Sequence, residues 1–200
     1  MRATVVTFAV SAVLVGGVAA CSSAESHSQG ASTSPGAPAP GQLASATFAA
    51  PAAAGTQPAA ITYHADLVPA GAKAVVATSV ADGKTKVTLE VSGLLSGRMY
   101  GAHAHTKACG AKAADAGPHY QDKKDPVQPS VDPAFANASN EIWLDFTTND
   151  KGEAVATTTV PWLFPKGGAN SVVLHANHTS TETGKAGTAG DRLACITAAF

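Results

Sequence analysis

From residue 61 onward the chain breaks into short runs in which apolar and polar side chains alternate, the pattern of strands with one buried face. Residues 61–68 (ITYHADLV) and 72–80 (AKAVVATSV) are the first two, and an Asp-Gly pair at Asp82 and Gly83 then predicts a tight hairpin turn into 84–92 (KTKVTLEVS). In that third run Val87, Leu89 and Val91 share one face, and Lys86, Thr88 and Glu90 the other. Further runs follow at 99–106, 141–148, 154–160, 171–175 and 191–200, separated by turn-forming residues. No stretch carries the 3.6-residue period of an amphipathic helix. The expected fold is therefore all-β: an eight-stranded antiparallel Greek-key barrel or sandwich over residues 60–200.

The first 59 residues do not fit that pattern. Residues 1–20 have one basic residue, Arg2, an apolar run shorter than a membrane span and small residues before Cys21, which predicts an export signal. The sequence VAAC resembles a bacterial lipobox, in which Cys21 would be lipidated and become the first mature residue; cleavage near Ala20 without lipidation is the alternative. The expected location is the extracytoplasmic face of the cell membrane, held by a lipid on Cys21, or outside the cell. Residues 21–59 are Ala, Ser, Pro and Gly with almost no large apolar side chain, and predict a flexible tether. Charged residues make up 14% of the chain and the net charge is -1, so the basic field that a nucleic-acid partner requires is missing.

Candidate chemistry is concentrated in 101–120, GAHAHTKACGAKAADAGPHY. His103 and His105 stand two residues apart in a predicted strand, so both imidazoles point to one face and can meet one ion. His119 follows after a loop that begins at Cys109, and His175 closes the apolar run SVVLH. Four imidazoles suit copper or zinc, and copper is the expected ion for an exported site with no cysteine ligand to spare. With Cys21 lipidated, Cys109 and Cys195 are left as a pair, either two buried thiols or, as export favours, a disulfide contributing about 4 kcal/mol through loop closure. The 109–140 segment has no strand periodicity, and so long an irregular run in a compact domain points to function.

Taken together, G-x-H-x-H, Cys109, the GPHY ending at Tyr120, VVLH and GTAGDRLAC resemble the copper/zinc superoxide dismutase family over about residues 61–195. The resemblance implies a copper site of His103, His105, His119 and His175, with His119 as the bridging histidine, and a Cys109–Cys195 disulfide. It makes Arg192 the arginine that draws in and orients superoxide. The implied reaction is copper-dependent disproportionation of superoxide to dioxygen and hydrogen peroxide, with His119 and Arg192 as catalytic residues and His119 carrying protons. A copper-binding or copper-storage module of the same fold is the alternative, against which an anion-guiding arginine argues.

The chain departs from the family where zinc would bind, because no histidine lies between His119 and His175. Zinc is therefore not expected, and Asp122, Asp125 and Asp132 read as turn formers or solvated charges. Copper-only members of the family use a glutamate to hold the far nitrogen of the bridging histidine. Here Glu141 resembles it, with Asp145, on the same strand face, as a second candidate. His178 reads as a loop histidine, His64 as structural, and His27 has no assigned role.

Overall fold

The computed structural model describes residues 41–200. The predicted export signal, Cys21, His27 and the first part of the predicted tether lie outside the described residues. Nine strands form one sheet: β1 (Gln42–Ala49), β2 (Ala60–Thr62), β3 (Lys73–Ala81), β4 (Lys84–Ser92), β5 (Met99–His105), β6 (Phe146–Thr147), β7 (Ala154–Val160), β8 (Ser171–His175) and β9 (Arg192–Thr197). Their order is β6-β5-β8-β9-β2-β1-β3-β4-β7, so the two end strands are neighbours in sequence and touch, and the sheet curls into a nearly closed barrel. Every pairing is antiparallel except β1 with β2. The helical content among the described residues is one 3-10 turn, Ala113–Ala116.

The expected hairpin is present. Strands β3 and β4 pair from Lys73↔Ser92 to Ala81↔Lys84, and both turn residues have positive φ, 51° at Asp82 and 71° at Gly83, as a two-residue turn between twisted strands requires. Val87, Leu89 and Val91 face the core while Lys86 and Glu90 face out.

Three expectations need correction. The tether does not run to residue 59, because 42–49 form β1, which pairs with β3 from Gln42↔Thr78 to Thr47↔Lys73. Its sequence, QLASATFA, carries little hydrophobic signal; cross-strand backbone hydrogen bonds and the fully buried Phe48 hold it, and neither is visible locally. The strand expected at 61–68 stops at Thr62, since the backbone turns and His64 O accepts from the N–H groups of Leu67 and Val68. The strand expected at 141–148 shrinks to β6, preceded by isolated bridges His103↔Trp143 and Gln121↔Glu141. Among the described residues the strand count is therefore nine, with one parallel pair, rather than eight.

Inside the barrel, Tyr100, Ala102 and Ala104 of β5 pack with Val172 and Leu174 of β8 and with Leu193, Ala194 and Ile196 of β9. Leu193 sits where the register between β8 and β9 shifts; elsewhere the period-two alternation that sends these residues inward sends His103 and His105 of β5, Val173 and His175 of β8, and Cys195 of β9 outward. These outward residues are buried all the same, so long loops must cover them.

Candidate metal centre

A second, smaller apolar cluster outside the barrel anchors the first covering loop. Ala116 packs on Val173 and Cys195, with Tyr63 and Cys109 alongside, and Cys109 is disulfide-bonded to Cys195. Tyr63 Oη donates to Gly110 O at 2.9 Å, and the backbone N–H of Lys112 donates to Asp115 Oδ2. The chain then returns along the edge of β5 that β6 pairs with, beyond the residues β6 reaches: Thr106 N donates to Pro118 O, Tyr120 N to Ala104 O, and His119 bridges His105. Thus one edge of β5 brings in His119 and the other, through β8, brings in His175, which lies opposite Gly101. Gly101 has a steric reason: a Cβ there would lie 2.5 Å from Asn177 O and 2.9 Å from Ala189 Cβ, so a side chain would push the second covering loop off the strand.

The four predicted imidazoles converge. One ligating atom from each of His103, His105, His119 and His175 lies within 4.8 Å of all the others. Every ring has one nitrogen hydrogen-bonded to the protein, which leaves the other for the common centre. His105 Nδ1 donates to Gly117 O (2.9 Å), His175 Nδ1 to Gly190 O (3.2 Å) and His119 Nδ1 to Glu141 Oε2 (3.0 Å). His103 is reversed: its Nε2 meets Thr179 Oγ1 at 2.7 Å, and its Nδ1 is buried with no hydrogen-bond partner. An unpartnered buried ring nitrogen costs about 1–3 kcal/mol unless something else ligates it, and a cation held by the four lone pairs would do so. The donor set therefore fits a metal that accepts imidazole nitrogen, such as copper.

Burial keeps His103, His105 and His175 in the ligating form. Burial, reinforced by the neighbouring histidines and Arg192, pushes His103 and His105 well below the ordinary imidazole range, and burial takes His175 down to about 3. Neutral imidazole is the form that offers a lone pair to a metal.

Glu141 is 1% exposed and saturated with donors: besides His119, Trp143 Nε1 reaches Oε2 at 2.7 Å and Gln121 Nε2 reaches Oε1 at 2.8 Å. Asp145 does not contact His119; its carboxylate takes the backbone N–H and the hydroxyl of Thr179. Thr179, Trp143 and Gln121 were not singled out in the sequence. Trp143 could have been, since strand alternation puts it on one face with Glu141 and Asp145, whereas no local signal marks Thr179.

Arg192, half-buried, opens β9 opposite His175, and its Nη1 donates to Ala113 O at 3.1 Å. Its orientation thus depends on the loop that the disulfide pins. Burial lowers its pKa from the ordinary value, partly offset by Tyr63. A cleft of about 330 Å³ is lined by His119, His175, Arg192, Gly190, Gln128 and Ser130, so the guanidinium and two of the four rings share one opening to solvent.

Among the described residues the four histidines are the only group arranged as candidate metal ligands. Asp125 accepts from Val127 N and Ser130 Oγ, and Asp132 from Ala134 N, both as turn formers; Asp122 is exposed. His178 Nε2 donates to Phe146 O, and His64 lies exposed in the turn after β2. No helix among the described residues is long and apolar enough to cross a membrane.

Residues 71–197 match the family described as copper/zinc superoxide dismutase (SODC). No curated protein matches the sequence. Solved structures that the chain matches include the Cu/Zn superoxide dismutase from Brucella abortus, at 21% identity and TM-score 0.47 over 62% of this chain and 86% of that one. A double mutant of a SOD-like protein from Bacillus subtilis has 16% identity and TM-score 0.46 over 62% and 86%. The clock protein EA4 has 20% identity and TM-score 0.49 over 64% and 87%.

Proposed function

The chain belongs to the copper/zinc superoxide dismutase family, and on that premise we propose that it is a copper-only superoxide dismutase, converting superoxide and protons to dioxygen and hydrogen peroxide. The observation that carries this reading is the cleft in which Arg192 opens beside His119 and His175. A storage site has no use for a fixed cation at its mouth, whereas an enzyme for a small anion gains both encounter rate and orientation from one.

His103, His105, His119 and His175 would hold copper, which supplies one-electron cycling between two oxidation states. The protein's own contribution begins with Arg192, held by Ala113 O so that its guanidinium faces the cleft and attracts the anion. His119 is the proton-handling ring: Glu141 accepts its Nδ1–H, which leaves Nε2 to hold a proton whenever it is not a ligand. The fully buried carboxylate of Glu141 then steadies the cationic ring.

Absence of zinc is part of the proposal. The far nitrogen of His119 is already occupied by Glu141, and the loop aspartates Asp125 and Asp132 are engaged in turns. Export and a lipid anchor on Cys21 are likewise proposed; a disulfide of this kind persists in an oxidising compartment.

Metal analysis of the purified protein, with dismutation assayed before and after copper loading, tests the reading. About one copper and no zinc per chain is expected, with activity restored by copper. Full copper occupancy without dismutation would refute the enzyme and leave a copper-binding module.

A further inference from the structure

His103 differs from the other three rings in the nitrogen it turns inward, and the structure contains a reason for it. Gly117 O, Gly190 O and the Glu141 carboxylate can only accept, so the rings they face carry the proton on Nδ1 and present Nε2. Thr179 is a hydroxyl, able to donate or accept, and by itself would leave the His103 tautomer open. Asp145 removes that freedom. Its Oδ2 accepts the Thr179 backbone N–H at 2.8 Å and its Oδ1 lies 2.6 Å from Thr179 Oγ1, so the only hydroxyl proton is committed to the carboxylate. Toward His103 the hydroxyl oxygen can then only accept, which puts the ring proton on Nε2 and the lone pair on the buried, unpartnered Nδ1.

We propose that Asp145 and Thr179 form a polarised pair that keeps the ring proton of His103 on Nε2, so that its buried Nδ1 stays free as the ligating atom. The pair is a positioning device acting through His103, and it rests on the metal-site reading above. It also ties the two halves of the site together: Asp145 immediately precedes β6, Thr179 belongs to the loop after β8, and the adjacent His178 donates to Phe146 O. A single substitution at Asp145 should therefore be read at His103 without His103 being touched.

Asparagine at 145 has the size of aspartate but not its polarity. The Thr179 backbone N–H needs an acceptor, so the amide oxygen turns to it and the amide nitrogen faces Thr179 Oγ1. The hydroxyl is thereby freed to donate to His103 Nε2, which forces the proton onto Nδ1 and points an N–H at the ligand centre.

The test is the tautomer of each histidine by nitrogen-15 NMR of the metal-free protein, with Cu(II) affinity measured by competition against a chelator. In the wild type, His103 is expected to carry its proton on Nε2 and the other three on Nδ1. Asp145→Asn should move the His103 proton to Nδ1 and weaken copper binding by about 10–100-fold. Thr179→Val, which removes the only acceptor for Nε2, should weaken it and leave His103 a mixture of the two tautomers, and Thr179→Ser, which keeps the hydroxyl, should retain both wild-type properties. A wild-type His103 protonated on Nδ1, or an Asp145→Asn protein with wild-type tautomer and affinity, would overturn the proposal. The expected tautomers and affinities in a copper-loaded protein that fails to dismutate superoxide would support the pair while refuting the enzymatic reading.

Discussion

Replacing Glu141 by glutamine isolates the contribution of one buried carboxylate without changing its volume. Three donors converge on it, Gln121 Nε2, Trp143 Nε1 and His119 Nδ1. If the new amide nitrogen takes the Oε1 position it faces Gln121 Nε2, donor against donor. Gln121 cannot turn over to accept without losing the bond its Oε1 makes with Asp125 N. If the nitrogen takes the Oε2 position it faces the indole N–H of Trp143, which cannot accept, and makes His119 Nδ1 an acceptor, so that Nε2 carries the proton and loses its lone pair. Either orientation leaves one buried donor unsatisfied, at a cost of about 1–3 kcal/mol. For a domain of this size that lowers the melting temperature of the metal-free protein by about 3–9 °C. Copper affinity should fall by about 10–100-fold, the usual effect of losing the partner behind a ligating imidazole. Differential scanning calorimetry and a Cu(II) chelator competition read the two effects separately. A Glu141→Gln protein with unchanged melting temperature and copper affinity within about twofold of wild type would refute the assignment of Glu141 as the group that holds His119.

Arg192→Ala should lower kcat/KM for superoxide about tenfold or more and flatten its dependence on ionic strength, while leaving copper occupancy near one per chain; an unchanged rate and salt slope would remove Arg192 from the mechanism. Because His175 titrates near 3 when folded and near 6.5 when unfolded, the unfolded chain binds the extra proton between those values. Stability of the metal-free protein is therefore full above about pH 6.5 and is lost as the pH falls below it, by about 1.4 kcal/mol per pH unit for this ring alone; His103 and His105 act in the same direction. Urea midpoints that do not fall between about pH 7.5 and pH 5 would contradict this. Phe48→Ala, in a segment whose composition reads as a tether, should cost about 3–5 kcal/mol because Phe48 is 1% exposed within the barrel core; a loss below about 1 kcal/mol would mean that β1 is not part of the folded domain.

Features that depend on local order were legible from the residues alone. Alternation in 84–92, the Asp82-Gly83 turn and the His103/His105 spacing are each set within a few residues, because side-chain direction in a strand has period two and turn chemistry is local. Cysteine counting paired Cys109 with Cys195, and residue type alone offered His119 and His175 as further ligands; the resemblance gave Arg192 and Glu141 their roles, which no local rule could have done. Tertiary structure decided the rest. It built β1 from residues of little hydrophobic character, since a strand is held by the hydrogen bonds of its neighbours as much as by its own side chains. It also sent Asp145 to Thr179 and not to His119, and chose which nitrogen each histidine presents, because a hydrogen bond's direction depends on a partner that can lie dozens of residues away.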